Sequence, residues 1–218
     1  VPTTLTTPAL PLLDAHGISA EHDGTTALCD VSLAVVRGEI VALAGANGSG
    51  KSTLLGALAG THRTSAGSVA RAAATRVAYV VQRSSAPDGL PLTVLDAVTM
   101  GRWAGRPLWR PLGRADREIV RESIAALGLE GLERRPFHAL SGGQRQRVLV
   151  AQGLAQRADV VLLDEPTAGL DDEAHELIAR AIDAEARRGA GVVHATHDPE
   201  VMTRADRVVR LDRGRIVR

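Results

Sequence analysis

Ile40-Val41-Ala42-Leu43-Ala44-Gly45-Ala46-Asn47-Gly48-Ser49-Gly50-Lys51-Ser52-Thr53-Leu54-Leu55 changes character twice. The apolar run 40–44 reads as a buried strand. It gives way to a loop of small residues, 45–50. From 52 to 59, Leu54, Leu55 and Leu58 recur at helical spacing, and Gly60 stops the helix. Strand, glycine-rich loop and helix around G-x-x-x-x-G-K-S form a P-loop, a phosphate cradle. Gly45, Gly48 and Gly50 let the backbone N–H groups of the loop, including those of Ala46, Asn47 and Ser49, curl into an anion nest. The helix points its positive end at the same place. Lys51 supplies a compact, mobile charge for the terminal phosphates. The Ser52 hydroxyl is placed to ligate Mg²⁺, with Thr53 following it. Lys51 is also the single lysine among 26 basic residues. A GC-rich coding sequence explains the arginine excess, so position 51 resists arginine for a local reason.

A second element completes this one. Val160-Val161-Leu162-Leu163-Asp164-Glu165 is an apolar strand that ends on two carboxylates. Asp164 falls where a metal shell needs it. Glu165 falls where a water could be polarised for attack on a γ-phosphate.

The rest of the 218 residues sets limits. That length holds one domain, or one domain with a sub-lobe. With 44% apolar and 23% charged residues the chain can bury a core. A net charge of +1 and four aromatics (Tyr79, Trp103, Trp109 and Phe137) give no case for a nucleic-acid partner. One cysteine, Cys29, excludes an intramolecular disulfide and reads as a small buried apolar residue. No apolar run approaches the ~20 residues of a membrane span. Residues 1–15 read as a loose tail without a secretion signal.

Along the chain, 18–44 reads as short β segments, an antiparallel subdomain, and 76–81 as a further strand ending at Gln82. Helical patterns follow over about 83–157. Thr93-Val94-Leu95-Asp96 has capping-box form. Residues 115–127 place Ile119, Val120, Ile124 and Leu127 on one face. A third helix opens at Ser141. Strand and helix then alternate again, with strands over 160–163 and 191–195, helices over 172–188 and 198–205, and a terminal hairpin over 207–218. The expected fold is an α/β P-loop core with a parallel sheet, an N-terminal antiparallel β subdomain and an inserted helical lobe. It forms a single domain over 16–218.

A P-loop alone says only nucleotide triphosphatase. Leu140-Ser141-Gly142-Gly143-Gln144, leading into Arg145-Gln146-Arg147, resembles the signature motif of ABC-type ATPases. The resemblance spans 18–218. Gln82 resembles that family's Q-loop, Ala168-Gly169-Leu170-Asp171 its D-loop, and Thr196-His197-Asp198 its switch histidine. Membership implies ATP and Mg²⁺ as ligands. It implies catalytic roles for Glu165, His197, Gln82 and Lys51, and metal contacts for Ser52, Gln82 and Asp164. It further implies that Ser141, Gly142, Gly143, Gln144 and Asp171 serve the ATP of a second copy. Two chains would then meet head to tail. As a helix start, 141–143 is a second anion-binding terminus in its own right. An adenine-stacking aromatic is usual before the first β turn, and counting back from Val31-Ser32 puts His22 there. Imidazole offers less stacking area than tyrosine, and base stacking contributes about 1–3 kcal/mol.

His194 and His197 invite a metal-site reading. Their odd spacing on a strand sends them to opposite faces, which argues against one. His16, His62, His138 and His175 show no pattern.

The short chain and the helical lobe resemble importer ATPases rather than the chromosome-organising relatives, which carry a long coiled coil. Gln82-Arg83-Ser84-Ser85 and Thr93-Val94-Leu95-Asp96-Ala97-Val98-Thr99-Met100-Gly101-Arg102 look like the zinc and manganese uptake branch. Iron–siderophore and cobalamin ATPases share a similar stretch, and Asp88-Gly89-Leu90-Pro91 lacks an aromatic common in the zinc branch. Trp103 and Trp109, flanked by Arg102, Arg106 and Arg110, are read as part of a surface for a membrane subunit. The implied partners are an integral membrane permease, a second ATPase copy and, indirectly, an extracytoplasmic substrate-binding protein. The implied location is the cytoplasmic face of the membrane. A cell-division or membrane-remodelling ATPase would share every nucleotide motif.

Overall fold

The computed structural model describes residues 10–81, 92–104 and 111–217. β1 (Leu13–His22) and β2 (Thr25–Val35) form an antiparallel hairpin, and β4 (Ala66–Arg71) pairs with the other edge of β1. Sequence reading missed β4, whose alanines and serine carry no strand pattern. The tail expectation of 1–15 also runs too far. Leu12 donates its N–H to Val35 O at 2.7 Å, and Leu12, Leu13 and Ala15 are buried. Two adjacent leucines have more to gain under this sheet than in water.

The second sheet has six strands in the order β5-β6-β7-β3-β8-β9. Its members are β3 (Ile40–Ala44), β5 (Val77–Val80), β6 (Val160–Asp164), β7 (Gly191–Thr196), β8 (Arg207–Asp212) and β9 (Arg215–Val217). All pair in parallel except the terminal β8–β9 hairpin. On β6, Val160 and Leu162 face one apolar cluster, while Val161 and Leu163 face another. That two-residue period is the strand's own geometry, and it explains why β6 is apolar on both faces from Val160 to Leu163. The first cluster packs α1 (Lys51–Ala59) and the antiparallel sheet on the parallel one. The second packs α5 (Asp172–Arg187) and the helical lobe on the opposite face.

The lobe holds α2 (Val94–Met100), α3 (Arg114–Ala126) and α4 (Gly142–Ala155). The Thr93–Asp96 capping box is present at α2. Val120 and Ile124 of α3 are buried as the periodicity requires. Arg102 departs from the expected partner surface. Its guanidinium pairs with Asp116 at 3.0 Å and donates to Ala155 O at 2.6 Å, so it ties the lobe together from inside. Trp103 does stand out, 48% exposed. Trp109, Arg106 and Arg110 lie outside the described residues, as does 88–91. Cys29, expected in the core, is only half-buried on β2. Among the described residues no helix is long and apolar enough to cross a membrane.

His194 on β7 is the buried group with the clearest electrostatic consequence. It is 2% exposed, and its Nε2 has no hydrogen-bond partner among the described residues. Burial, with some help from nearby His175 and against the pull of Asp198, pushes its pKa down from 6.5 to about 4. The unfolded chain therefore binds the proton first. Stability is full above pH 6.5 and falls as pH drops from there toward 4, by about 3 kcal/mol at most. Urea unfolding of His194→Leu against the parent at pH 7 and pH 4.5 should show a shallower acid loss in the variant. Equal losses would refute this.

Candidate nucleotide site

Strand β3 is the central delivery element. It lies between β7 and β8, and its end opens into the 45–50 loop. A Cβ on Gly45 would stand 2.4 Å from Leu211 O, and one on Gly50 would stand 2.5 Å from Ala27 O. Gly50 also sits at φ 107°. Neither position admits a side chain without moving backbone. The β8–β9 turn props the loop from outside, Gly214 N donating to Ser49 O at 2.9 Å. Ser49 Oγ is buried without a hydrogen-bond partner among the described residues.

Lys51 opens α1 with its side chain 5% exposed. Its Nζ donates to Gly45 O at 2.8 Å and Ala46 O at 3.2 Å, and lies 3.3 Å from Glu165 Oε1. The ammonium thus meets two carbonyls of its own loop and one carboxylate.

Asp164 ends β6 and is buried. Burial pushes its carboxyl above the ordinary carboxylate range, while a hydrogen bond from Ser52 pulls it down. Tyr79 of β5 donates to Asp164 Oδ2 at 3.5 Å. Burial, with the Asp164 charge beside it, takes the Tyr79 phenol up to about 12. A serine hydroxyl bonded to a buried carboxylate at the mouth of a phosphate loop is a hard-oxygen donor set, and it fits Mg²⁺.

Glu165 has φ 46°, the left-handed region that non-glycine residues rarely occupy. Its N–H donates to Ala195 O at 3.1 Å, which holds the strand end while the side chain turns back. One carboxylate oxygen then meets Lys51, and the other lies 3.7 Å from His197 Nδ1. Such strain persists at sites where the surrounding structure over-determines it. His197 follows β7 with its side chain 66% exposed, whereas His194 is buried.

Part of this set opens on a cleft of about 700 Å³, and Asp164 and His197 are not in its lining. Asn47, Gly48, Gly50, Lys51, Ser52, Thr53 and Glu165 line it, and so does His22. Tyr79, Thr25, Thr26, Thr61 and His62 also line it, and the sequence reading assigned none of them a role. The turn after α1, where His62 meets Gly56 O and Glu21 O, brings His62 beside His22, and no spacing signals that. Gln82 lies outside the described residues.

Ser141–Gln144 does not line this cleft. Ser141 caps α4, its Oγ accepting from Gln144 N at 3.2 Å and its N–H donating to Gln144 Oε1 at 3.1 Å. Ser141 and Gly142 are exposed. Asp171 is elsewhere as well, capping α5 by accepting from Ala174 N at 2.9 Å.

Residues 28–168, more than half of the chain, match the ABC transporter family. The chain belongs to that family. This ABC chain therefore binds ATP and hydrolyses it. It is 39% identical over 202 residues to the zinc import ATP-binding protein ZnuC of Ruegeria pomeroyi, covering 91% of this chain and 74% of that protein. It is 41% identical over 230 residues to the hemin import ATP-binding protein HmuV of Streptomyces coelicolor, covering 99% and 80%. A bacterial ABC transporter cassette solved as a dimer superimposes with a TM-score of 0.82 at 26% identity, covering 94% of this ABC chain and 97% of that one.

Proposed function

We propose that this chain powers the import of a metal ion, zinc or manganese, through a separate membrane permease at the cytoplasmic face of the membrane. A substrate-binding protein outside the membrane would deliver the cargo. The observation that carries the ATPase chemistry is the Lys51–Glu165–His197 constellation at the mouth of the phosphate loop. The similarity to a zinc import ATP-binding protein supports the cargo.

In this reading the 45–50 amides and Lys51 hold the β- and γ-phosphates, and the carbonyls of Gly45 and Ala46 release the ammonium as the anion arrives. Thr53 assists at the start of α1. Ser52, Asp164 and Gln82 would hold Mg²⁺, which when bound would supply positive charge against the phosphate oxygens. Glu165 orients and activates the attacking water. His197 contacts the γ-phosphate. His22 stacks on the adenine. Ser141, Gly142, Gly143, Gln144 and Asp171 of a second copy close the site from the other side.

A host lacking this chain should grow poorly under zinc or manganese chelation and recover when the metal is restored. Normal uptake of both metals would sink the cargo assignment. The similarity to a hemin import protein favours one second reading, an iron-chelate importer. A defect confined to chelated iron would select it.

A further inference from the structure

Two groups of side chains line the cleft. Lys51 and Glu165 meet at 3.3 Å beside Ser52. His22 and His62 meet ring to ring, and Thr61 adjoins them in sequence. His62 is held there by two hydrogen bonds, with its Cβ close over the glycine at 56. Its N–H donates to Gly56 O at 3.1 Å, and its Cβ lies 3.1 Å from where a Cβ on Gly56 would stand. Its ring Nε2 meets Glu21 O at 2.9 Å, on the residue before His22. A carbonyl oxygen only accepts, so Nε2 carries the proton and the ring orientation is fixed. The two imidazole centroids lie 5.9 Å apart at 41°, within the range of packed aromatic pairs.

We propose that His62 is a base-contacting residue, forming with His22 the wall against which the nucleobase lies. The proposal rests on the reading of the cleft as the ATP site. Phosphates on the 45–50 loop fix one end of the ligand. Among the described residues lining the cleft, the side-chain rings are His22, His62 and Tyr79. Tyr79 turns its hydroxyl on Asp164 at the phosphate end. A planar base is therefore left to the imidazoles. Gly56 lies five residues along α1 from Lys51, about 7.5 Å at the rise of a helix, so His62 stands well beyond the phosphates. His22 alone is a poor platform, its side chain 66% exposed. Packing against a ring bonded to Glu21 O, on a residue whose backbone is tied to Gly56 O, stiffens it and widens the surface.

Calorimetric titration of ATP and of inorganic tripolyphosphate into the full chain, without Mg²⁺, tests this. His62→Ala should bind ATP at least about fivefold more weakly, the low end for base stacking. Tripolyphosphate, which has no base, should bind as to the parent and shows that the loop is folded. His62→Phe keeps a ring without the Glu21 bond and should hold ATP better than His62→Ala. Unchanged ATP affinity in His62→Ala would overturn the proposal. So would an equal loss for both ligands, which marks a displaced α1, or a His62→Phe no better than alanine. A parent chain that binds tripolyphosphate and ATP equally well would show that no base wall exists. A parent that binds neither would overturn the ATP-site reading itself, and the proposal with it.

Discussion

Glu165→Gln should slow ATP turnover by roughly 10²–10⁴-fold, the usual effect of removing a general base. The substitution keeps the size of the side chain and removes its charge. Lys51 Nζ keeps its bonds to Gly45 O and Ala46 O, so the loop stays folded. The ammonium loses a competing carboxylate at 3.3 Å, so ATP binding should persist or tighten. Two chains should then stay together on ATP that is not cleaved, visible as a nucleotide-dependent dimer in size-exclusion chromatography. Lys51→Ala separates the roles. It removes the one cation in the cradle and should weaken ATP binding itself. Near-normal turnover in Glu165→Gln would refute the assignment of Glu165.

Mixing two inactive variants, Lys51→Ala and Ser141→Arg, should restore activity that neither has alone. The cleft carries Lys51, Ser52 and Glu165, but the signature turn of the same chain does not line it. Gly142 has no need of its glycine from within the chain. Its backbone is helical, and an added Cβ would meet nothing within 4 Å. Helical glycine costs about 1 kcal/mol relative to alanine, so a reason for it would have to come from outside the chain. In the proposed reading a second copy's triphosphate against this helix start would supply one, because both helix termini favour the same anion. In a mixed dimer, one site then gathers both defects and the other gathers neither. If each site were built within one chain, every site would keep a defect. Recovery should follow the proportion of mixed dimer, checked by tagging the two variants differently. Proven association without recovered turnover would count against sites shared between chains in which one intact site suffices.

Sequence alone determined the parts of this protein whose chemistry is written in consecutive residues. The 45–52 loop needs glycine where the backbone comes within 2.5 Å of a neighbour, and lysine where a mobile charge must reach phosphate. The β6 run is apolar at every position because both of its faces are covered, so its carboxylate end could be located without coordinates. The capping box at Thr93 was legible for the same reason, being a contact over three residues, whereas at Ser141 only the helix start was legible. Tertiary structure decided what depends on partners far apart in the chain. Only the six-strand order, with β7 beside both β3 and β6, turns Glu165 between Lys51 and His197. Arg102 looked like a surface charge until Asp116 and Ala155 were seen around it. β4 is held by β1, not by its own residues, and His62 reaches the cleft through Gly56 O and Glu21 O. Pairing across 47 to 58 residues leaves no period to read in the chain itself.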